Sequence, residues 1–132
     1  MLIENEKNMF FDMANKMTSK KFDEIKDEET QSKLINCLYE AAPKILEQYP
    51  VKDEYFKYLQ ANFLFSESQN KEELIRKMEN EKRNPQKKDC RYSMAFRSIL
   101  FSLSQNRERI NSENIASIRN DLKPFFDILQ SN

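Results

Sequence analysis

Residues 34–49 read LINCLYEAAPKILEQY. Leu34, Leu38, Ala41, Ala42, Ile45 and Tyr49 recur at steps of three and four, the spacing of one face of an α-helix. Pro43 lies inside that stripe. A proline in a helix interior has no N–H to donate and clashes with the carbonyl four residues back, at a cost of about 3 kcal/mol. The stripe nevertheless keeps its phase across Pro43, so the segment predicts one kinked helix over 28–48 rather than two helices. Asp27 is a suitable N-cap for it, with Glu28 and Glu29 at the positive end of the helix dipole.

The same period continues on both sides. Leu2, Met9, Phe10, Met13 and Met17 predict a helix over 2–17, broken by Thr18-Ser19-Lys20-Lys21. Pro50 ends the central stripe. Residues 52–65 then hold Tyr55, Phe56, Tyr58, Leu59, Phe63, Leu64 and Phe65. That stretch is apolar nearly all round, which predicts the central, most buried helix. Asn70 with Glu73 has the spacing of a capping box and opens a short helix through Leu74, Ile75 and Met78. Asn84-Pro85 is a helix start signal, and Phe96, Ile99, Leu100 and Leu103 carry that helix to about residue 104. After a polar loop over 105–111, Ile118, Leu122, Phe125, Phe126 and Leu129 keep helical phase across a second proline, Pro124. The expected fold is all-α. It is a single domain over 1–132, one compact bundle of about five to seven helices around 52–65 and 92–103, two of them kinked at proline.

Composition narrows the fold and the chemistry together. The 132 residues include no Gly, no His and no Trp. Gly supplies the positive-φ positions of hairpin turns and phosphate loops, so its absence argues against an all-β fold. It also removes phosphate-cradling loops, dinucleotide fingerprints and nucleophile elbows. Helices must end on Asn or Ser instead. The absence of His removes the commonest general base and metal ligand, and with it Ser-His-Asp and Cys-His catalysis. Two cysteines, Cys37 and Cys90, are too few for a four-cysteine zinc site and read as free thiols. The expectation is a protein that is not an enzyme and uses no cofactor and no metal. The first residues, MLIENEK, lack the basic start and apolar run of a signal peptide, and no long apolar run occurs. A cytoplasmic protein without membrane contact is expected.

Twenty-two basic and 22 acidic residues give a net charge of zero, but the signs are not evenly spread. Residues 1–75 hold ten basic and fifteen acidic groups, whereas 76–109 hold ten basic and four acidic. The basic block includes Arg76, Lys77, Lys82, Arg83, Lys87, Lys88 and Arg91. Its plainer account is a solvated turn between helices, and Lys82 and Arg83 do suit a helix C-terminus. Lys87 and Lys88 do not suit the first turn of the next helix, which favours a binding role. The acidic run Asp23 to Glu29 is accounted for as a helix start, since calcium loops need a Gly and a fixed ligand spacing. The aromatics Tyr55 and Tyr58 read first as core, with an exposed side available to a partner or a second copy.

The expected function is therefore a non-catalytic protein–protein interaction module: an adaptor, inhibitor, immunity-type or regulatory protein. It would dock onto an acidic partner surface through Arg76, Lys77, Lys82, Arg83, Lys87, Lys88 and Arg91, with Tyr55 and Tyr58 alongside. Self-association is a further expectation. The alternative is a nucleic-acid-binding regulator that uses the same basic block to neutralise phosphates.

Overall fold

A computed structural model of the protein describes residues 2–21, 25–63, 65, 67–83 and 92–131, with the side chains of 2, 3, 18–21 and 81–83 excepted. Six α-helices occur among the described residues, with no strand. They are α1 (Leu2–Lys21), α2 (Glu28–Gln48), α3 (Asp53–Asn62), α4 (Lys71–Arg83), α5 (Tyr92–Gln105) and α6 (Ser112–Ser131), with a 3-10 turn at Arg107–Arg109. The all-α bundle expected from the hydrophobic period is the fold observed.

Asp and Asn side chains cap the starts of three helices. The Asp27 carboxylate accepts from the Thr30 N–H at 3.0 Å and from its hydroxyl at 2.7 Å, which fixes the start of α2. The Asn70 side chain accepts from the Glu73 N–H at 2.8 Å, and the Glu73 carboxylate accepts in return from the Gln69 N–H at 3.2 Å. Asn111 and Asn114 cap reciprocally at the start of α6, each side-chain oxygen accepting from the other's N–H at 2.9 and 3.1 Å. The hydroxyl and then the N–H of Thr30 hold Asp27 below the usual carboxylate range. The N–H of Gln69 and then the ammonium of Lys77 do the same for Glu73.

Helix α2 is the hub, packing against α4, α5 and α6. Its buried face is the stripe read from the sequence, with Leu34, Leu38, Ala42 and Ile45 all at 1% exposure or less. The helix runs unbroken through Pro43, and α6 through Pro124, as the unbroken phase of each stripe implies. Pro43 is buried while Pro124 is exposed. Between α5 and α6, Phe96 stacks on Phe125 with ring centroids 4.7 Å apart and meets Phe126 edge-on at 5.7 Å. Such pairs add roughly 0.5–1.5 kcal/mol each beyond their buried area.

Two readings are corrected. Helix α1 does not stop at residue 17 but continues to Lys21: a run of Thr, Ser and Lys lacks a breaker strong enough to end a helix. Residues 52–65 are not the central helix. Among the described residues only ten of them are helical, and within α3 only Leu59 is buried. Phe63 and Phe65 are buried just beyond the helix end, where both pack on Tyr39. The aromatic density of this stretch thus serves two places, with α3 lying peripherally on α5. The proposed start of the fifth helix at Asn84-Pro85 lies outside the described residues, as does Cys90. Cys37 is a free, half-buried thiol, pushed up by burial and by the nearby Glu40 carboxylate.

Candidate functional site

The most exposed aromatic surface lies where α3 crosses α5. Phe101 is 50% exposed, an unusual position for phenylalanine. Its ring sits 5.5 Å from Tyr55 and 6.1 Å, edge-on, from Tyr58. Both tyrosines are half-buried. Three rings therefore form one partly wet platform, each fixed by the others. The period explains its position: Phe96, Ile99, Leu100 and Leu103 define the buried face of α5, and at about 100° per residue Phe101 falls roughly 140° round from Phe96. It cannot enter the core without taking the stripe out.

Beside the platform lies a depression of about 270 Å³. Its walls include Lys52, Tyr55, Gln105, Asn106 and Arg109, and no carboxylate lines it. Its floor is held by Asn106, which is 6% exposed. The Asn106 amide donates to the Pro50 carbonyl at 3.0 Å and to the Ser102 carbonyl at 2.9 Å. One side chain thus closes α5 and ties it to the turn that leads into α3. Lys52 and Arg109 are exposed above this floor, and Arg97 is exposed one turn before Phe101 on α5. The surface is aromatic with a cationic margin.

The residues singled out in the sequence divide into three groups. Tyr55 and Tyr58 are on the platform. Arg76 is exposed on α4, a helix that packs on α2 rather than on α3 or α5. Lys77, on the same helix, is committed to the fold. Its ammonium lies 3.3 Å from both Glu67 and Glu73, pinning the loop before α4, and its side chain is only 24% exposed. Lys87, Lys88 and Arg91 lie outside the described residues, as do the side chains of Lys82 and Arg83. Arg107, counted in the same basic block, is also committed: its guanidinium lies over the Phe11 ring at 5.2 Å and bonds to the Asn8 side chain of α1.

Sequence reasoning missed Phe101 and Lys52, and counted Arg109 only as one charge of the 76–109 basic block. Phe101 carried a signal, since it is a large aromatic out of phase with its own helix's stripe. Nothing in the sequence paired Lys52 with Arg109, because they meet only through the fold. Among the described residues no three acidic or cysteine side chains are grouped to hold a metal ion, and no helix is long and apolar enough to cross a membrane. Comparison with protein-family models, curated proteins and solved structures finds no match.

Proposed function

We propose that this protein is a non-catalytic protein-binding module that docks onto an acidic partner surface, anchored on the Tyr55–Phe101–Tyr58 platform. The observation that carries this reading is Phe101, half in solvent yet held between two tyrosines. Binding energy concentrates in a few anchors, among which aromatic and Arg side chains are enriched. Rings already ordered against one another lose little further freedom when a partner covers them. Lys52 and Arg109 beside the platform, in a depression without a carboxylate, supply the complement to an acidic surface. Arg76 and the rest of the 76–91 block add long-range attraction. Lys77 adds little, because its charge is already matched by two carboxylates.

The test is affinity capture from lysate by the parent chain, by Phe101→Ser, and by Ser117→Ala as a control on an exposed part of α6. Each is run with and without nuclease. The expected result is a protein held by the parent and the control, lost with Phe101→Ser and indifferent to nuclease. An identical capture by Phe101→Ser would remove the platform from the argument. Partners lost on nuclease treatment would move the basic block to phosphate binding.

A further inference from the structure

Helices α1 and α6 leave a second surface between them, distinct from the α3–α5 platform. It is a groove of about 830 Å³, open along its length. Met9 and Met13 line it from α1, and Ile115, Ala116 and Phe126 from α6. Along α6 it runs from Ser112 to Phe126, about 21 Å at the helical rise. Met9 stands at its edge, 66% exposed, the most exposed large apolar side chain described. The two edges carry opposite charge. Glu6 is on the α1 side, and Arg119 and Lys123 are on the α6 side. Lys123 pairs with Asp127 of its own helix at 2.8 Å. Glu6 and Arg119 form no ion pair among the described residues, either with each other or elsewhere.

We propose that this face is the interface of a symmetric homodimer, each groove occupied by the α1–α6 face of a second copy. A two-fold interface is isologous, so one patch must contain both members of every complementary pair. This patch does. A two-fold axis running along the groove lays α1 of one copy on α6 of the other. The acidic α1 edge of each copy, at Glu6, is then laid along the basic α6 edge of the other, at Arg119 and Lys123. The same operation brings the protruding Met9 over the α6 side of the second copy's groove. Methionine suits this contact, because an unbranched, polarizable side chain fills an irregular groove. A foreign acidic partner would match Arg119 and Lys123 but would be repelled by Glu6. A face about 21 Å long and two helices wide, at about 10 Å each, covers about 400 Å², half of what each partner of a standard interface buries, so the dimer is a weak one.

Sedimentation velocity of the full chain, from about 5 to about 500 µM, reads this directly. The expected result is a reversible shift from 15.9 kDa towards twice that mass as concentration rises. Glu6→Arg alone and Arg119→Glu alone should each raise the dimer dissociation constant about tenfold or more, since each puts like charges together at two symmetric places. The double variant carrying both should restore dimerisation, because the swap rebuilds the pair in reverse. Both residue changes are outside the core, and unchanged helical circular dichroism and urea midpoints in all three variants establish that folding is intact. A chain that stays monomeric throughout the range overturns the proposal, and is the result expected of a groove that receives a foreign helix. A dimer indifferent to the single reversals, or one the double variant does not recover, uses another face and overturns it equally.

Discussion

Asn106 holds the floor of the aromatic platform, and its chemistry makes a sharp test. Its amide nitrogen donates to two carbonyls, Pro50 at 3.0 Å and Ser102 at 2.9 Å, from a site 6% exposed. Asn106→Ala removes the donor from both carbonyls and leaves that of buried Ser102 with little access to water, while Pro50 lies in an exposed turn. A net hydrogen bond contributes about 1 kcal/mol, and a buried group left unsatisfied costs about 1–3 kcal/mol. The expected loss is about 2–3 kcal/mol, read as a lower urea midpoint at unchanged slope. Asn106→Asp keeps the shape but aims a carboxylate at two carbonyl oxygens, so at pH 7 it should lose more than Asn106→Ala. The folded state disfavours that charge, which raises the folded pKa of the introduced carboxyl above its unfolded value. A raised carboxyl pKa destabilises above the folded value, and the penalty fades as pH falls through it, because the protonated acid can again donate to one carbonyl. Urea titrations of parent and both variants at pH 7 and at about pH 4 decide the matter. An Asn106→Asp deficit equal to that of Asn106→Ala at pH 7, or one that does not shrink in acid, refutes the proposed role of the amide.

Five shorter predictions concern other parts of the bundle. The Tyr49 hydroxyl is buried without a hydrogen-bond partner among the described residues, so Tyr49→Phe should be neutral or stabilise by about 1 kcal/mol in urea unfolding; a clear loss would reveal a bond to this oxygen. Pro124 is exposed within α6, and Pro124→Ala restores a donor for the Asn120 carbonyl and should raise the melting temperature. Pro43→Ala should gain less or lose, because Pro43 is buried and its ring fills core volume. The Asp27 carboxyl is held down mainly by the Thr30 hydroxyl and N–H, so its contribution is present above the unfolded value and lost as pH falls through the folded one. The stability gap between parent and Asp27→Ala should therefore narrow in acid, whereas a gap constant from pH 7 to 2 would mean that the charge is not what caps α2. Burial, then the Glu40 carboxylate, raises the Cys37 thiol. In a Cys90→Ser background it should be alkylated more slowly at pH 8 in the native chain than in urea, and equal rates would contradict the packing around it.

How much of this was legible in the sequence depended on whether a feature was local. The α2 stripe, its Asp27 cap and its passage through Pro43 all arise from residues within one helix, and the period alone locates them. The reciprocal Asn111–Asn114 cap is equally local, although the sequence reading left Asn111 in a polar loop. Residues 52–65 misled because aromatic density does not say which aromatics share an element. Tyr55 and Tyr58 lie before Leu59 on α3, whereas Phe63 and Phe65 fall beyond its end and pack on Tyr39. A chain that leaves the helix there turns one apolar run into a wet face and a buried corner.

Charge was the less readable half of the surface for the same reason. A cation's role depends on what the fold sets within about 4 Å of it, and the net charge of a block does not reveal that. Lys77 and Arg107 belong to one basic block by number. Yet one is spent on Glu67 and Glu73, and the other lies on the Phe11 ring of a distant helix. Lys52 and Arg109, 57 positions apart, instead line one depression because Asn106 ties the α2–α3 turn to the end of α5. A basic run therefore overstates the charge available to a partner wherever folding supplies internal acids. The cations that remain are those the packing leaves beside an apolar anchor. By that criterion Phe101 organises one surface and Met9 the other. Phe101 is out of phase with the buried stripe of α5, and Met9, counted in the α1 stripe from the sequence, proves to stand outside it.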